Sequence, residues 1–208
     1  MENYNDGIRV LVTDHTHEKY TESIRQLLTA CAQERHNGIA VRSSEYLATK
    51  MKERKAVIAL YGEELAGFCY IESWKNKNYI AHSGLVVAPQ FRQSNLATRI
   101  KQLTFALSRI RWPHAKIFGL TCSPAVLHID TALGYVPVAF TELTQDEEFW
   151  RSCGSPEQPR CVNCDLLFQS DRKFCQCTAL LYDPKYHVNE PLPVQVPQEV
   201  IDSILQKG

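Results

Sequence analysis

Residues 79–100, YIAHSGLVVAPQFRQSNLATRI, decide the fold. An apolar run, Leu85-Val86-Val87, ends at Ala88-Pro89, and a small polar loop then leads into a segment predicted to be helical to about Ile110. A strand that turns through such a loop into a helix presents several backbone N–H groups at the positive end of the helix dipole. That arrangement binds anions and suits a pyrophosphate. An ordinary strand-loop-helix connection is the alternative interpretation.

The composition excludes several classes of function. The 208 residues suffice for one substantial domain with an extension. Lys plus Arg and Asp plus Glu number 23 each, so no overall field attracts nucleic acid or an anionic membrane. The first ten residues lack the features of a signal peptide, and no apolar run approaches the length of a membrane span. We therefore expect a cytoplasmic protein that binds neither nucleic acid nor membrane, and the sequence leaves a homodimer open.

Hydrophobic periods and turn residues predict that strands and helices are interspersed along the chain. The predicted strands are residues 8–12, 56–60, 65–74, 79–87, 116–121 and 135–140. The predicted helices are residues 18–32, about 44–54, the segment after the loop to about 110, and 124–133. Ser43 or Ser44 is the expected cap of the second helix, and Ser123-Pro124 begins the fourth.

This order is similar to the fold of the GNAT acetyltransferase superfamily, and two motifs add to the resemblance. The family's acyl-coenzyme A loop has Arg or Gln, two residues, Gly, one residue, and Gly or Ala. The stretch from Arg92 to Ala97 resembles it, with Asn95 at the first glycine, and asparagine tolerates positive φ well. Ser123-Pro124-Ala125 and Leu133-Gly134-Tyr135 resemble the family's Asn-Pro-x-Ala and Leu-Gly-Phe segments. The implied fold class is α/β (α+β), a mixed, mostly antiparallel sheet flanked by helices.

The resemblance implies that acetyl-CoA or another acyl-CoA binds along the first motif. Backbone groups of Val86 and Val87 would pair with the pantetheine arm, and Ser123 belongs to the same predicted site. The pyrophosphate would lie on the N–H groups of Arg92, Gln93, Ser94, Asn95, Leu96 and Ala97. Arg92 would add positive charge, and a solvated arginine is the alternative.

Acyl transfer to an amine also needs a base, and an acid for the leaving thiolate. Many family members have a tyrosine four residues before the glycine of the Leu-Gly-Phe segment, where this sequence has Asp130. Asp130 can donate a proton only if its pKa is raised, and a water held by Ser123 or Asp130 is the alternative route. His82 is the candidate base, because its unperturbed pKa suits proton transfer near neutral pH. Ser83 and Glu72 are weaker candidates.

Arg42, Ser43 and Tyr46 begin the second helix, where family members commonly shape the acceptor pocket. An arginine beside a helix N-terminus suits a carboxylate. This segment, the Phe149-Trp150 ending and the cysteine-rich tail together resemble short bacterial proteins similar to N-acetylglutamate synthase. The resemblance implies a small amino acid, glutamate first, as acceptor. Another small amine, a protein amine, and a non-catalytic acyl-CoA-binding module are the alternatives.

Five of the eight cysteines fall between residues 153 and 177 and indicate a metal site. Two close pairs are separated by ten residues, and paired thiolates with such a spacer suit tetrahedral zinc. The predicted ligands are Cys161, Cys164, Cys175 and Cys177, and either Cys153 or His187 could replace one of them. Disulfides, buried thiols and an iron–sulfur cluster are the alternatives.

The change in composition divides the chain into three predicted parts. Residues 1–143 form the GNAT domain, 144–187 a cysteine-rich zinc-binding extension, and 188–208 a proline-rich tail. Outside the extension, Cys31, Cys69 and Cys122 fall in predicted core elements. We expect these three side chains to be small apolar core residues.

Overall fold

A computed structural model of the protein describes residues 7–35, 39–40, 42–74, 77–146, 149–150 and 177–206. Its strands are β1 Ile8–Val12, β2 Ala56–Tyr61, β3 Glu64–Ser73, β4 Tyr79–Val87, β5 Lys116–Thr121, β6 Val136–Val138 and β7 Thr178–Tyr182. In this part of the chain they form one sheet in the order β1-β2-β3-β4-β5-β7-β6. β4 and β5 are parallel, and the other neighbouring strands are antiparallel. The predicted mixed, mostly antiparallel sheet is confirmed.

Helices cover both faces of the sheet. They are α1 Thr21–Arg35, α2 Ser44–Lys52, α3 Leu96–Arg111, α4 Pro124–Ala132 and α5 Gln198–Leu205. Short 3-10 turns occupy His15–Tyr20, Pro89–Phe91, Phe140–Glu142 and Pro184–Tyr186. The serine caps form as expected, because the Ser43 and Ser123 hydroxyls accept hydrogen bonds from the backbone N–H groups of Tyr46 and Val126.

Apolar side chains form a separate core on each face. Under α1 and α2 the buried residues include Ile24, Leu28, Leu47, Met51, Ile58 and Phe68. On the opposite face, α3 and α5 pack on the sheet through residues that include Ile100, Phe105, Leu107, Ile117 and Ile204. Burial of each large apolar side chain stabilises the fold by about 1.5–3 kcal/mol, so the sheet is anchored from both sides.

β7 continues the sheet beyond the boundary predicted at residue 143. It lies between β5 and β6, with Tyr182 opposite Ile117 and Leu181 opposite Val136. Its sequence, TALLY, is a short apolar run that is almost entirely buried, as is typical of an inner strand. β6 is shorter than predicted, and Pro137 suits its edge position because proline cannot donate to a ladder.

β4 and β5 separate after three residue pairs. Residues 79–81 of β4 pair with 116–118 of β5, yet β4 runs on to Val87 and β5 to Thr121. Just beyond the last pair, β4 has one extra residue relative to β3, a bulge at which Gly84 has a φ of +63°. A bulge bends its strand and increases the local twist. The bend accompanies the opening between the two strands.

We expect Gly84→Ala to destabilise the fold more than Gly62→Ala. Both glycines have positive φ, which costs an L residue about 1–2 kcal/mol. A Cβ on Gly84 would clash with the Tyr70 ring, whereas nothing in the described chain lies within 4 Å of one on Gly62. The Gly84 variant should lose about 2 kcal/mol more, as overpacking predicts, when unfolded in urea. Equal free energies of unfolding for the two variants would contradict this account.

Candidate active site

A cavity of about 570 Å³ fills the opening between β4 and β5. Residues 81–87 of β4 form one wall, residues 118–121 of β5 another, and α4 contributes Ile129 and Asp130. The loop before α3 and the first turn of α3 also border it. Its volume is in the range of about 300–1,000 Å³ that small-molecule sites have.

The loop before α3 adopts the conformation expected at Asn95. That residue has a φ of +58° and a ψ of 13° and directly precedes the helix. Gln93 also has a positive φ, and the Ser94 hydroxyl donates to the Phe91 carbonyl at 2.6 Å, which closes the turn. The first-turn N–H groups of a helix have no acceptor within the helix. They therefore offer donors to an anion at this border of the cavity.

Arg92 braces the loop as well as bordering the cavity. Its Nε donates to the Val87 carbonyl at 3.3 Å, and its Nη2 lies 3.7 Å from the Cys31 sulfur. The guanidinium thus joins the end of β4 to α1. Its charge is positive, as is the N-terminal end of the α3 dipole, and both favour an anion.

His82, the predicted base, is buried in the β4 wall. Its Nε2 lies 2.9 Å from the Ser108 hydroxyl, and its Nδ1 lies 3.2 Å from the Tyr135 hydroxyl. Burial lowers the pKa of His82 well below 6.5, and the charge of Lys101 lowers it further. The imidazole is therefore neutral at neutral pH, and both ring nitrogens already have polar neighbours.

Asp130, the predicted thiolate acid, forms a buried ion pair with Lys101 of α3. The Lys101 Nζ lies 2.9 Å from Oδ1 and 3.2 Å from Oδ2, and only the longer contact has hydrogen-bond geometry. Within the described residues, Oδ1 is thus buried without a hydrogen-bond donor. Burial raises the pKa of Asp130, although the Lys101 charge opposes the shift. Both side chains border the cavity.

Lys101 was not predicted as a site residue, and one sequence signal could have identified it. It lies four residues after Ala97 and four before Phe105, so the helical period places it on an inward face of α3. A lysine on such a face needs a charged partner, because an unpaired buried charge is strongly unfavourable. The partner, Asp130, is distant in sequence, and only the fold brings the two together.

A second buried charge cluster centres on Glu72 of β3. The Lys50 Nζ lies 2.6 Å from one carboxylate oxygen, the Arg42 Nη2 lies 3.3 Å from the other, and the Tyr46 hydroxyl donates to the same group. The Arg42 Nε also donates to the Tyr70 hydroxyl at 3.0 Å. Burial and the charge of Glu72 raise the pKa of Tyr46, which keeps it a protonated donor.

The residues predicted to form the pocket for the acceptor substrate therefore lie at different places relative to the cavity. Arg42 and Glu72 border the cavity. Tyr46 holds the Glu72 carboxylate, and Ser43 caps α2. Among the described residues, two cations contact one carboxylate in this cluster, so Arg42 and Lys50 together carry one more positive charge than Glu72 offsets.

Most of the predicted zinc ligands lie outside the described residues, namely Cys161, Cys164, Cys175 and the alternative Cys153. Cys177 is described and borders the cavity. His187, the other alternative, stacks on Tyr182 with ring centroids 4.3 Å apart, and its Nδ1 lies 2.9 Å from the Glu190 carboxylate. In the part of the chain that the structure covers, no group of three or more metal-binding side chains occurs.

The prediction that three further cysteines are core residues is confirmed for two of them. Cys31 and Cys69 are buried, whereas Cys122 is exposed, so the prediction for Cys122 is wrong. Cys122 follows the last residue of β5, beyond the packed faces of the sheet, and borders the cavity. The apolar run KIFGLT ends before it.

The fold is that of the GNAT acetyltransferases, as comparison with solved structures shows. N-acetylglutamate synthase from Neisseria gonorrhoeae, solved with coenzyme A and N-acetyl-glutamate, matches 85% of this chain with a TM-score of 0.60 and 15% identity. Rv2747 from Mycobacterium tuberculosis, solved with CoA and NLQ, matches 84% of this chain and 98% of its own, with a TM-score of 0.57 and 16% identity. An N-acetyltransferase from Staphylococcus aureus Mu50 matches 85% of this chain and 98% of its own, with a TM-score of 0.57 and 8% identity.

These identities establish the fold alone. The chain spans 35% of the length of the gonococcal synthase. No protein-family model matches the sequence, and no curated protein matches it significantly. None of the described helices is both long enough and apolar enough to cross a membrane.

Acidification is expected to destabilise the protein through His82. Because its pKa is lowered in the folded state, the unfolded chain binds a proton below about pH 6.5 that the folded chain does not. The free energy of unfolding should therefore fall by up to about 1.4 kcal/mol per pH unit as the pH drops from about 6.5 to 5. The raised pKa of Asp130 acts in the opposite sense, because the folded state then binds the extra proton.

Urea unfolding across that pH range checks this expectation. His82→Gln retains polar atoms toward Ser108 and Tyr135 but does not titrate, so it should flatten the dependence on pH. The matched variant is His114→Gln, at an exposed histidine, which should leave the dependence unchanged. A wild-type slope in His82→Gln would show that another group is responsible.

Proposed function

We propose that the protein is an acyl-CoA-dependent N-acyltransferase that transfers an acetyl or similar acyl group to the amine of a small amino acid. The cavity at the split between β4 and β5 carries this proposal. It has an anion-binding loop and helix terminus on its border, and buried ionisable groups in its walls. The gonococcal synthase and Rv2747 were both solved with coenzyme A, which supports binding of an acyl-CoA donor by this fold.

The donor would lie along β4, with its pyrophosphate at the loop. Residues 92–97 offer backbone N–H groups there, and Arg92 adds positive charge. Beyond residue 81 the edge of β4 no longer pairs with β5. Val86 and Val87 can therefore pair with the amides of the pantetheine arm, which enters the cavity as an additional strand would. The thioester would then lie deeper between the strands.

The reaction moves charge from the amine to sulfur. The amine nitrogen attacks the thioester carbonyl carbon and loses a proton, the carbon–sulfur bond breaks, and the thiolate takes up a proton. We assign protonation of the sulfur to Asp130, whose pKa is raised by burial although the Lys101 charge opposes the shift, either directly or through a water held by Ser123. Lys101 would stabilise the negative charge on sulfur before the proton arrives, and a buried cation does this more strongly than a solvated one.

His82 remains the candidate base for the amine proton, because it is neutral and borders the cavity. The two weaker candidates for the base, Glu72 and Ser83, already form ion pairs or hydrogen bonds with other side chains. Glu72 is paired with two cations and accepts from Tyr46, and the Ser83 hydroxyl donates to the Tyr70 hydroxyl at 3.1 Å. Because its pKa is lowered, His82 is a weak base. The ammonium group of the acceptor must therefore have lost one proton already, so that it enters the cavity as the neutral amine.

The Glu72 cluster is the proposed acceptor site. A carboxylate would add to the contacts of Arg42 and offset the surplus positive charge of the cluster. The N-acetyl-glutamate bound to the gonococcal synthase supports glutamate as the first candidate. Because Glu72 itself borders the cavity, another small amine or a protein amine is the second candidate. A module that binds acyl-CoA without catalysis would bind the donor and leave every acceptor unchanged.

The cysteine-rich segment would hold one structural zinc ion. Four thiolates complete a tetrahedron, and such a site stabilises the fold without an open position for chemistry. The proposed ligands remain Cys161, Cys164, Cys175 and Cys177. This proposal is independent of the acyltransferase proposal.

We expect Ala97→Glu to abolish binding of acetyl-CoA and free CoA. Ala97 borders the cavity in the first turn of α3, so a glutamate there would place negative charge against the pyrophosphate. The control is Gln102→Glu, which adds the same charge further along α3, outside the residues that border the cavity. Calorimetry should show wild-type affinity for the control only. Unchanged affinity in folded Ala97→Glu would exclude this donor site.

Arg42→Ala should raise the KM for the amino-acid acceptor more than it lowers kcat. The arginine contact forms in the bound substrate and persists through the reaction, and such a charge-assisted contact contributes about 2 kcal/mol, or about 30-fold in KM. The assay measures consumption of acetyl-CoA with glutamate, other amino acids, polyamines and peptides. Arg25→Ala, at an exposed arginine of α1, is the control. Activity confined to polyamines or peptides, or a wild-type KM in Arg42→Ala, would count against a carboxylate site.

A further inference from the structure

The opening between β4 and β5 begins at one residue of each strand. Pairing of the two strands ends at position 81 of β4, so His82 and Gly119 are the first residues past the last pair. Ile80 and Ile117, two positions earlier in each strand, pack in the core on the side of α3. Because the side chains of a strand alternate between the two faces of a sheet, positions 82 and 119 belong to that same face. Gly119 therefore lies across the opening from the candidate base.

The candidate acid faces the same point from α4. A Cβ on Gly119 would lie 3.4 Å from the Oδ2 atom of Asp130, which is close to an ordinary contact distance. His82, Gly119 and Asp130 all border the cavity. The one position of β5 without a side chain is thus adjacent to both groups to which the proposed reaction assigns a proton transfer.

The described fold does not require a glycine at this position. Gly119 is not among the glycines with positive φ. Apart from Asp130 and the chain neighbours, no described atom would lie within 4 Å of a Cβ on Gly119, whereas a Cβ on Gly67 or Gly84 would overlap with neighbouring atoms. Glycine in the interior of a strand is less stable than alanine, and it often marks a place where a ligand approaches the backbone. A bound molecule that needs this space would account for the glycine.

We propose that the acyl group of the donor lies against the backbone of Gly119, and that residue 119 sets the size of the acyl group that the site accepts. The inference rests on the proposed acyltransferase function and deepens it. A pantetheine arm that follows β4 inward from Val87 reaches His82 at the point where the strands meet. The acyl group at the end of that arm is then level with Gly119, and the sulfur is near Asp130. Gly119 is thus a specificity-determining residue, and the missing side chain is what admits the acyl group.

Binding of donors with different acyl lengths tests the proposal without an acceptor. Calorimetry compares free CoA with acetyl-, propionyl- and butyryl-CoA in the wild type, Gly119→Ala and Gly119→Val. We expect free CoA to bind all three proteins equally, because its pyrophosphate and arm contact other residues. In Gly119→Val, the affinity for acetyl-CoA relative to free CoA should fall by about tenfold or more, as one misplaced methyl group in a pocket can cause. In Gly119→Ala, the loss should increase with acyl length.

The control is Gly62→Ala, in the turn between β2 and β3 and outside the residues that border the cavity. It should keep the wild-type ratios of acyl-CoA to free CoA although it is less stable. Urea unfolding verifies that each variant is folded, and the series in Gly119→Ala decides alone if Gly119→Val does not fold.

Two results would overturn the inference and leave the donor site intact. One is a loss of affinity in the Gly119 variants that is equal for free CoA and every acyl-CoA. The other is a set of wild-type ratios in both folded Gly119 variants. A wild-type protein that binds neither CoA nor any acyl-CoA would overturn the inference and the proposed function together. The expected ratios in a protein that acylates no acceptor would support the inference and overturn only the transfer step.

Discussion

The separation of β4 from β5 is the constraint on which the rest of the structure depends. Two parallel strands that stop pairing in the middle of a sheet leave backbone groups without ladder partners, and buried groups of that kind must find others. The bulge at Gly84 accompanies the separation, and only glycine fits there because a Cβ would clash with the Tyr70 ring. The cavity occupies the resulting space, and the loop before α3 lies at its border.

The walls of this cavity contain buried ion pairs that the stability of a core does not require. The side chains of Lys101 and Asp130 are 3% and 1% exposed, and those around Glu72 are about 10% exposed. Burying such pairs is frequently no better for stability than apolar packing, because desolvation offsets their attraction. Their presence fits the proposed acyl transfer, in which they would act on a bound molecule. Fixed charges in a site with little water act strongly on charge that develops during a reaction.

Local patterns in the sequence were enough to predict much of the sheet. β4 and β5 have the predicted limits, and Asn95 has the left-handed conformation expected of it. The missed features depend on partners far away in the sequence. The bulge at Gly84 is defined by the register with β3, and the role of Lys101 by a residue on α4. Likewise, the exposure of Cys122 follows from where β5 ends in the folded sheet, which no local period encodes.

The position of β7 has a consequence for how the protein is made. β5 and β6 precede it in the chain, yet in the sheet it lies between them. During synthesis β5 has one unpaired edge, and β6 has no strand partner in the described sheet, until β7 has emerged from the ribosome. Exposed edges can pair with other chains, and contacts so distant in sequence form slowly. The nascent protein is therefore most prone to aggregation just before its final strand arrives, and chaperones that shield strand edges would act in that interval.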